Sequence, residues 1–244
     1  MVLHEASMTE TTKHTSRAVG WLLLVYRVPS EPSHKRVAVW RDLKRIGALY
    51  LQQCVCIVPR RRALRTALTG VRDKIATLGG TSNLFEIPRV SAEDDAALIT
   101  GFRDLIAKQY AEIVEECETK FVKEVEFEHF RQNYSFAEAE EIAQDLEKIR
   151  VWFARVQVQD WFDAPGREDV ATWIQRCAQL LEDFYSAVHA RVMAHASGPD
   201  AADLAQALPP VHALSADLHA AAEPSALEVF THRPAGPQSR RKTT

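Results

Sequence analysis

The spacing of apolar residues changes once along the chain, near Val90, and that change limits the fold more than any other feature. Before it, apolar residues come in short continuous runs cut by Pro or Gly; after it, they recur every three or four positions. Short continuous runs suit strands buried on both faces, and a period of about 3.6 suits amphipathic helices. The run Trp21-Leu22-Leu23-Leu24-Val25-Tyr26 predicts a first strand, ended by Pro29 and Pro32. Ser33 is then placed to cap a helix with apolar positions Val37, Trp40, Leu43 and Ile46, stopped by Gly47. Leu49 to Val58 is strand-like, either one long strand or a tight hairpin kinked near Gln53, and Pro59 closes it. A second helix from Arg61 to Leu78 and a further strand from Asn83 to Ile87 complete a βα, β or ββ, αβ order. That order predicts an α+β class protein whose residues 20 to 90 form a small ferredoxin-like unit, both helices on one face of a sheet.

Beyond Val90 the pattern is helical. Ser91 and Asp94 resemble a capping box, and a stripe runs through Leu98, Phe102, Leu105, Ile106, Tyr110, Ile113, Val114, Cys117, Phe121 and Val125. Ser135 and Glu138 form a second capping box before Ile142, Leu146, Ile149, Phe153 and Val156, and Pro165-Gly166 is read as the break. A last helix carries Val170, Ile174, Cys177, Leu181, Phe184, Val188 and Val192. Residues 91 to 195 are therefore expected as three long helices, packed as an antiparallel bundle or a platform against the sheet. Residues 1 to 19 read as a disordered arm. Residues 196 to 244, rich in Ala, Pro, His and Ser, read as a mostly disordered low-complexity tail with a weak helix from Leu204 to Leu218.

Charge sharpens the division. The net charge of -3 hides a strongly basic segment, residues 34 to 74, where eleven Lys or Arg face only Asp42 and Asp73, for +9. Residues 75 to 239 carry -15, and Arg240, Arg241 and Lys242 return +3. Such asymmetry points to an anionic partner such as nucleic acid, or to the two halves packing on each other. No apolar run approaches the roughly 20 residues of a spanning helix, and the first residues show no secretory pattern, so a cytoplasmic protein without membrane association is expected. The cysteines Cys54, Cys56, Cys117 and Cys177 fit neither a disulfide framework nor zinc spacing. No Gly-rich phosphate loop, Ser-His-Asp context or paired inward carboxylates stand out, so no catalytic residue, metal or cofactor is assigned.

Several residues together carry a family resemblance. The stretch from Trp21-Leu22-Leu23-Leu24 through Trp40-Arg41-x-Leu43-x-x-x-Gly47-Ala48-x-x-Leu51 to Val58-Pro59 resembles the N-terminal domain of the bacterial chromate-resistance regulator ChrB. Leu146-Glu147-Lys148-Ile149-Arg150, followed by Asp160-Trp161-Phe162, resembles the closing helix of that domain and its Asp-aromatic-Phe ending. The resemblance covers roughly residues 20 to 190, and its first motif is the more specific. It implies a cytoplasmic protein that senses chromate and regulates transcription of an efflux operon. ChrB proteins usually carry a second, C-terminal domain, whereas this chain shows a low-complexity tail. The layout is also similar, more distantly, to the central domain of the phenylacetate repressor PaaX and to small ferredoxin-like nucleases of CRISPR adaptation. Those nucleases hold a metal with an Asp ending the first strand; here that strand ends Tyr26-Arg27, and a cation there repels Mg2+.

The basic segment is the leading candidate site. Arg41, Lys44 and Arg45, with Lys35 and Arg36, line the first helix, and Arg60, Arg61, Arg62 and Arg65 open the second. Guanidinium groups bind phosphate or tetrahedral oxyanions by bidentate hydrogen bonds, so DNA backbone and chromate are the candidate partners. A solvated face paired with the acidic half is the plainer reading. Cys54 and Cys56, two apart on an apparent strand, are expected on one face, where they form either a redox sensor or two small buried hydrophobes. Cys117 and Cys177 are expected in the core. Glu112, Glu115, Glu116, Glu118, Glu124, Glu126 and Glu128 read as a solvated face rather than a metal site, and Trp152, Trp161 and Trp173 as core aromatics or a partner groove. His212 and His219 would share a helix face in the tail. The expected function is a non-enzymatic chromate-responsive transcriptional regulator or chromate-resistance accessory protein, with a bundle that relays the signal or forms a homodimer. The alternatives are a non-catalytic interaction protein with its basic and acidic halves packed together, and a nuclease relative that has lost its metal-binding Asp.

Overall fold

The computed structural model describes residues 20–195. The expected arm (1–19) and tail (196–244), with the Leu204 to Leu218 helix, His212 and His219, lie outside the described residues. The chain divides into two compact units, the break falling after Gly101.

The first unit runs β1 (Trp21–Arg27), α1 (His34–Arg45), β2 (Leu49–Gln52), β3 (Val55–Pro59), α2 (Arg62–Thr77) and β4 (Thr81–Ile87). The four strands form one sheet of order β2-β3-β1-β4, antiparallel at every neighbouring pair. This is the ferredoxin-like arrangement that the apolar runs predict. Leu49 to Val58 forms the hairpin, not one long strand: β2 and β3 turn back through Gln53 and Cys54, with Cys54 at φ 63°. Leu22 and Leu24 of β1 are wholly buried, opposite Val58 and Cys56 of β3. On the other face, Trp21 donates its indole N–H to Asp95 at 2.8 Å.

Helix α1 corrects the expected apolar stripe. Val39, Leu43 and Ile46 face the core, whereas Val37 and Trp40 are exposed. Trp40 follows Val39 directly, and one residue is a rotation of about 100°, enough to carry its ring off the buried stripe. Ser33 sits at the N-cap, but its backbone is helical and its hydroxyl makes no capping bond, because a cap side chain needs an extended backbone to turn back onto the first turn. Lys35 N donates instead to the Pro32 carbonyl at 3.1 Å.

In the helical region, α3 (Ala92–Glu116) continues through a π-helical turn (Cys117–Phe121) into α4 (Val122–Arg131), followed by α5 (Phe136–Gln159) and α6 (Arg167–His195). Both serines cap: Ser91 Oγ accepts from Asp94 N at 3.0 Å and Ser135 Oγ from Glu138 N at 3.2 Å, while the acids' carboxylates bond elsewhere, Asp94 to the Ser91 hydroxyl and Glu138 to Asn133. Residues 102–195 of the second unit pack as an up-down-up bundle. Tyr110 of α3 meets Asp160 just past the end of α5, while Phe136 at the start of α5 stacks edge-on with His189 near the end of α6. The core holds Ile106, Tyr110, Ile113, Phe121, Ile142, Leu146, Phe184 and Val188. Helix α5 stops at Gln159 rather than at Pro165. Asp160 ends it, its carboxylate accepting from the Tyr110 hydroxyl at 3.0 Å and from Ala164 N at 2.9 Å. No helix among the described residues is long and apolar enough to cross a membrane.

Two glycines test this packing with opposite signs. A Cβ at Gly80 runs into the Arg27 carbonyl oxygen and to 2.8 Å from Ile75 Cγ2, whereas a Cβ at Gly70, inside α2, meets nothing within 4 Å. Gly70→Ala should stabilise the chain by about 0.5–1 kcal/mol through helix propensity. Gly80→Ala should lower the urea midpoint clearly, since backbone must move. A chemical-denaturation series of both variants checks the pair.

Candidate functional site

The basic residues lie on two neighbouring helices of the first unit. Helices α1 and α2 run antiparallel: Lys35 Nζ, near the start of α1, donates to the Leu78 carbonyl at the end of α2 (3.2 Å), and Lys74 Nζ reaches Asp42 at 2.6 Å. Asp42, in the second half of α1, thus lies beside the last turn of α2, and all seven candidate side chains, Arg41, Lys44, Arg45, Arg60, Arg61, Arg62 and Arg65, are exposed.

Their partners differ. Asp42 takes both Arg45 (3.0 Å) and Lys74 (2.6 Å), and Arg65 pairs with Glu86 of β4. Such exposed pairs contribute about 0–1 kcal/mol each, so they orient side chains more than they hold the fold. Among the described residues, Arg41, Arg60, Arg61 and Arg62 have no acidic side chain within ion-pair distance. Arg60 is positioned by its backbone, which donates to the Gly20 carbonyl at 2.7 Å, and its side chain lies over Gly20. Arg61 is the extended N-cap residue of α2 and makes no side-chain capping bond. The free N–H groups of the first turn of α2 thus add their partial positive charge to the three guanidinium groups.

One participant escapes a reading of the sequence. Trp40 is 47% exposed and carries Lys44 Nζ 5.7 Å from its ring centroid, so the outer face of α1 presents an aromatic plane between cations. The signal for it is its place directly beside Arg41 and four residues before Lys44; the helical spacing to Leu43 points to the core instead.

The cysteine pair is not arranged as the sequence suggests. Cys54 lies exposed in the β2–β3 turn, while Cys56 is wholly buried in β3 between Leu24 and Tyr50. The turn lifts Cys54 out of the pleat, so the two thiols do not share a strand face. Burial, with the Cys54 thiol nearby, pushes Cys56 up to about 12 and keeps it protonated at neutral pH. Beside it, the Tyr26 and Tyr50 hydroxyls lie 3.1 Å apart, and burial raises both above the ordinary phenol range.

In the second unit, five of the seven glutamates of the long helix are exposed as expected, Glu116 is half-buried, and Glu128 is the clear exception. Glu128 is 5% exposed, its carboxylate accepting from Arg131 at 3.2 Å and from Asn133 at 2.7 Å. It belongs to a closed polar network at the end of α4 rather than to a solvated face. Trp152, Trp161 and Trp173 are half-buried; Trp152 and Trp173 pack against the core and Trp161 lies edge-on to Phe102. Cys117 and Cys177 are wholly buried in that core.

These features define a ferredoxin-like α+β protein with a basic helix face, joined to a helical bundle. The family model described as Protein ChrB, N-terminal, matches residues 36–195. The chain belongs to this family, which ties it to chromate resistance. No curated protein matches it.

The cysteine geometry is checked by thiol labelling of the native chain at neutral pH. Cys54 should react with a maleimide promptly and Cys56 only after unfolding, read by peptide mass mapping; equal labelling of both would contradict the buried position of Cys56.

Proposed function

We propose that the chain is a chromate-responsive transcriptional regulator that acts by binding, its basic face meeting the phosphates of DNA. The observation that carries this reading is the set of four exposed arginines, Arg41 of α1 and Arg60, Arg61 and Arg62 at the start of α2, that have no acidic partner among the described residues. Guanidinium forks match phosphate geometry, and a helix N-terminus beside them favours the same charge. Trp40 supplies a flat apolar surface among the cations. Interactions of this kind supply affinity and position without reading sequence. Chromate, a tetrahedral oxyanion, suits the same donors, which gives a direct route for effector and DNA to compete. The end of β1 supports binding over nuclease chemistry: Tyr26 is engaged with Tyr50, and Arg27 offers a cation where a metal would need a carboxylate.

The test is fluorescence anisotropy with a duplex taken from upstream of a chromate-transporter gene, over a series of salt concentrations. Log affinity should fall linearly with log salt, and Arg60→Ala, Arg61→Ala and Arg62→Ala together should make that slope shallower by about 0.9 for each phosphate the variant no longer neutralises. Arg65→Ala, whose partner is Glu86, should change the slope least. Affinity and slope unchanged in the triple variant would overturn the reading.

A further inference from the structure

The outer face of α1 carries more than charge. Val37, Trp40, Arg41 and Lys44 stand at i, i+3, i+4 and i+7, so they form one strip along the helix. The buried stripe of the same helix is Val39 and Leu43, both wholly covered, whereas Val37 is 41% and Trp40 47% exposed. The core thus does not close over the indole. Among the described residues no other ring stacks on it and its N–H has no hydrogen-bond partner; the Lys44 ammonium lies over the ring, 5.7 Å from its centroid. The single acid of the helix, Asp42, is engaged by Arg45 and by Lys74 of α2, so the strip keeps the positive charge of Arg41 and Lys44.

We propose that Trp40 is a base-stacking residue and that the basic face takes nucleic acid with an unpaired base, stacked on the indole while Arg41 and Lys44 hold the phosphates beside it. This rests on the reading of the face as a phosphate-binding surface and adds the class of strand it receives. An open aromatic plane among cations supplies both parts that a single strand offers to bind, a π-face on every base and a negative charge on every phosphate. In an intact duplex each base face is covered by its neighbours, so the phosphates meet the cations but the indole finds nothing to stack on. An apolar protein surface fits less well, because covering Trp40 and Val37 would strip water from Arg41 and Lys44 without pairing them. Stacking also tolerates any base, which agrees with a face whose other contacts give affinity and position rather than sequence.

The test is fluorescence anisotropy of the full chain with three labelled probes of equal length: oligothymidylate, an abasic strand with the same phosphates, and the duplex of oligothymidylate with oligodeoxyadenylate. The chain should bind oligothymidylate about tenfold more tightly than the abasic strand. Trp40→Ala should remove that difference and leave affinity for the duplex and the abasic strand unchanged, while Trp40→Phe should keep much of it. An unchanged melting temperature in both variants checks that α1 holds. Equal affinity of the parent chain for oligothymidylate and the abasic strand would overturn the proposal; if both then bind with salt-dependent affinity, the phosphate-binding reading of the face survives, whereas no binding of any probe sinks both. A loss in Trp40→Ala that is the same for all three probes also overturns it. So does self-association of the chain, seen by sedimentation, that Trp40→Ala abolishes, since the strip then belongs to a second copy.

Discussion

The double pairing of β1 is the constraint on which the first unit depends. Trp21 to Val25 pair with β3 on one side, and Trp21 to Arg27 pair with β4 on the other, so both edges of this strand are satisfied by backbone. With β1 and β3 central, each helix must cross over a neighbouring strand to reach the next, and right-handed crossovers place both helices on the same face. They then run antiparallel, which sets Lys35 at the start of α1 beside Leu78 at the end of α2, and Asp42 beside Lys74. The cations of two sequence segments nearly twenty residues apart are carried on neighbouring helices for this reason, and not because of any local motif.

Much of this is legible in the sequence. A strand buried on both faces needs apolar side chains at successive positions, and Trp21 to Tyr26 show that pattern without interruption. Gly47, Pro59 and Gly79-Gly80 punctuate the elements where helices or strands end, so the βαββαβ order can be read, and with it the two helices that carry the arginines. The three long helices and both capping boxes are equally plain, because Ser at a cap and an acid three residues later leave a local signature.

What escapes has a common cause: each feature depends on a tertiary partner. Periodicity gives the width of a helix stripe but not its edge, so it turns Trp40 inward although the sheet receives Val39 and Leu43. Cys54 and Cys56 look equivalent in a continuous strand, and only the two-strand turn separates them. Glu128 is indistinguishable from its acidic neighbours until Asn133 and Arg131 close over it. The stop of α5 at Gln159 is imposed by the Tyr110 hydroxyl on Asp160, fifty residues away, and not by the helix-breaking pair downstream. Likewise, the +9 of the basic segment overstates what an anion meets, since Arg45, Lys74 and Arg65 are already paired within the unit.

The central proposal is that Arg41, Arg60, Arg61 and Arg62, without acidic partners among the described residues, form one anion-binding face. Its most direct measurement is an NMR titration of arginine side-chain Nε–Hε resonances with a short DNA duplex. The account predicts that Arg41, Arg60, Arg61 and Arg62 shift together and saturate at one ratio, while Arg72, held at Ser82, and Arg150, inside the bundle, stay in place. Shifts confined to arginines of the helical unit, or none at all as the duplex is added, would contradict it.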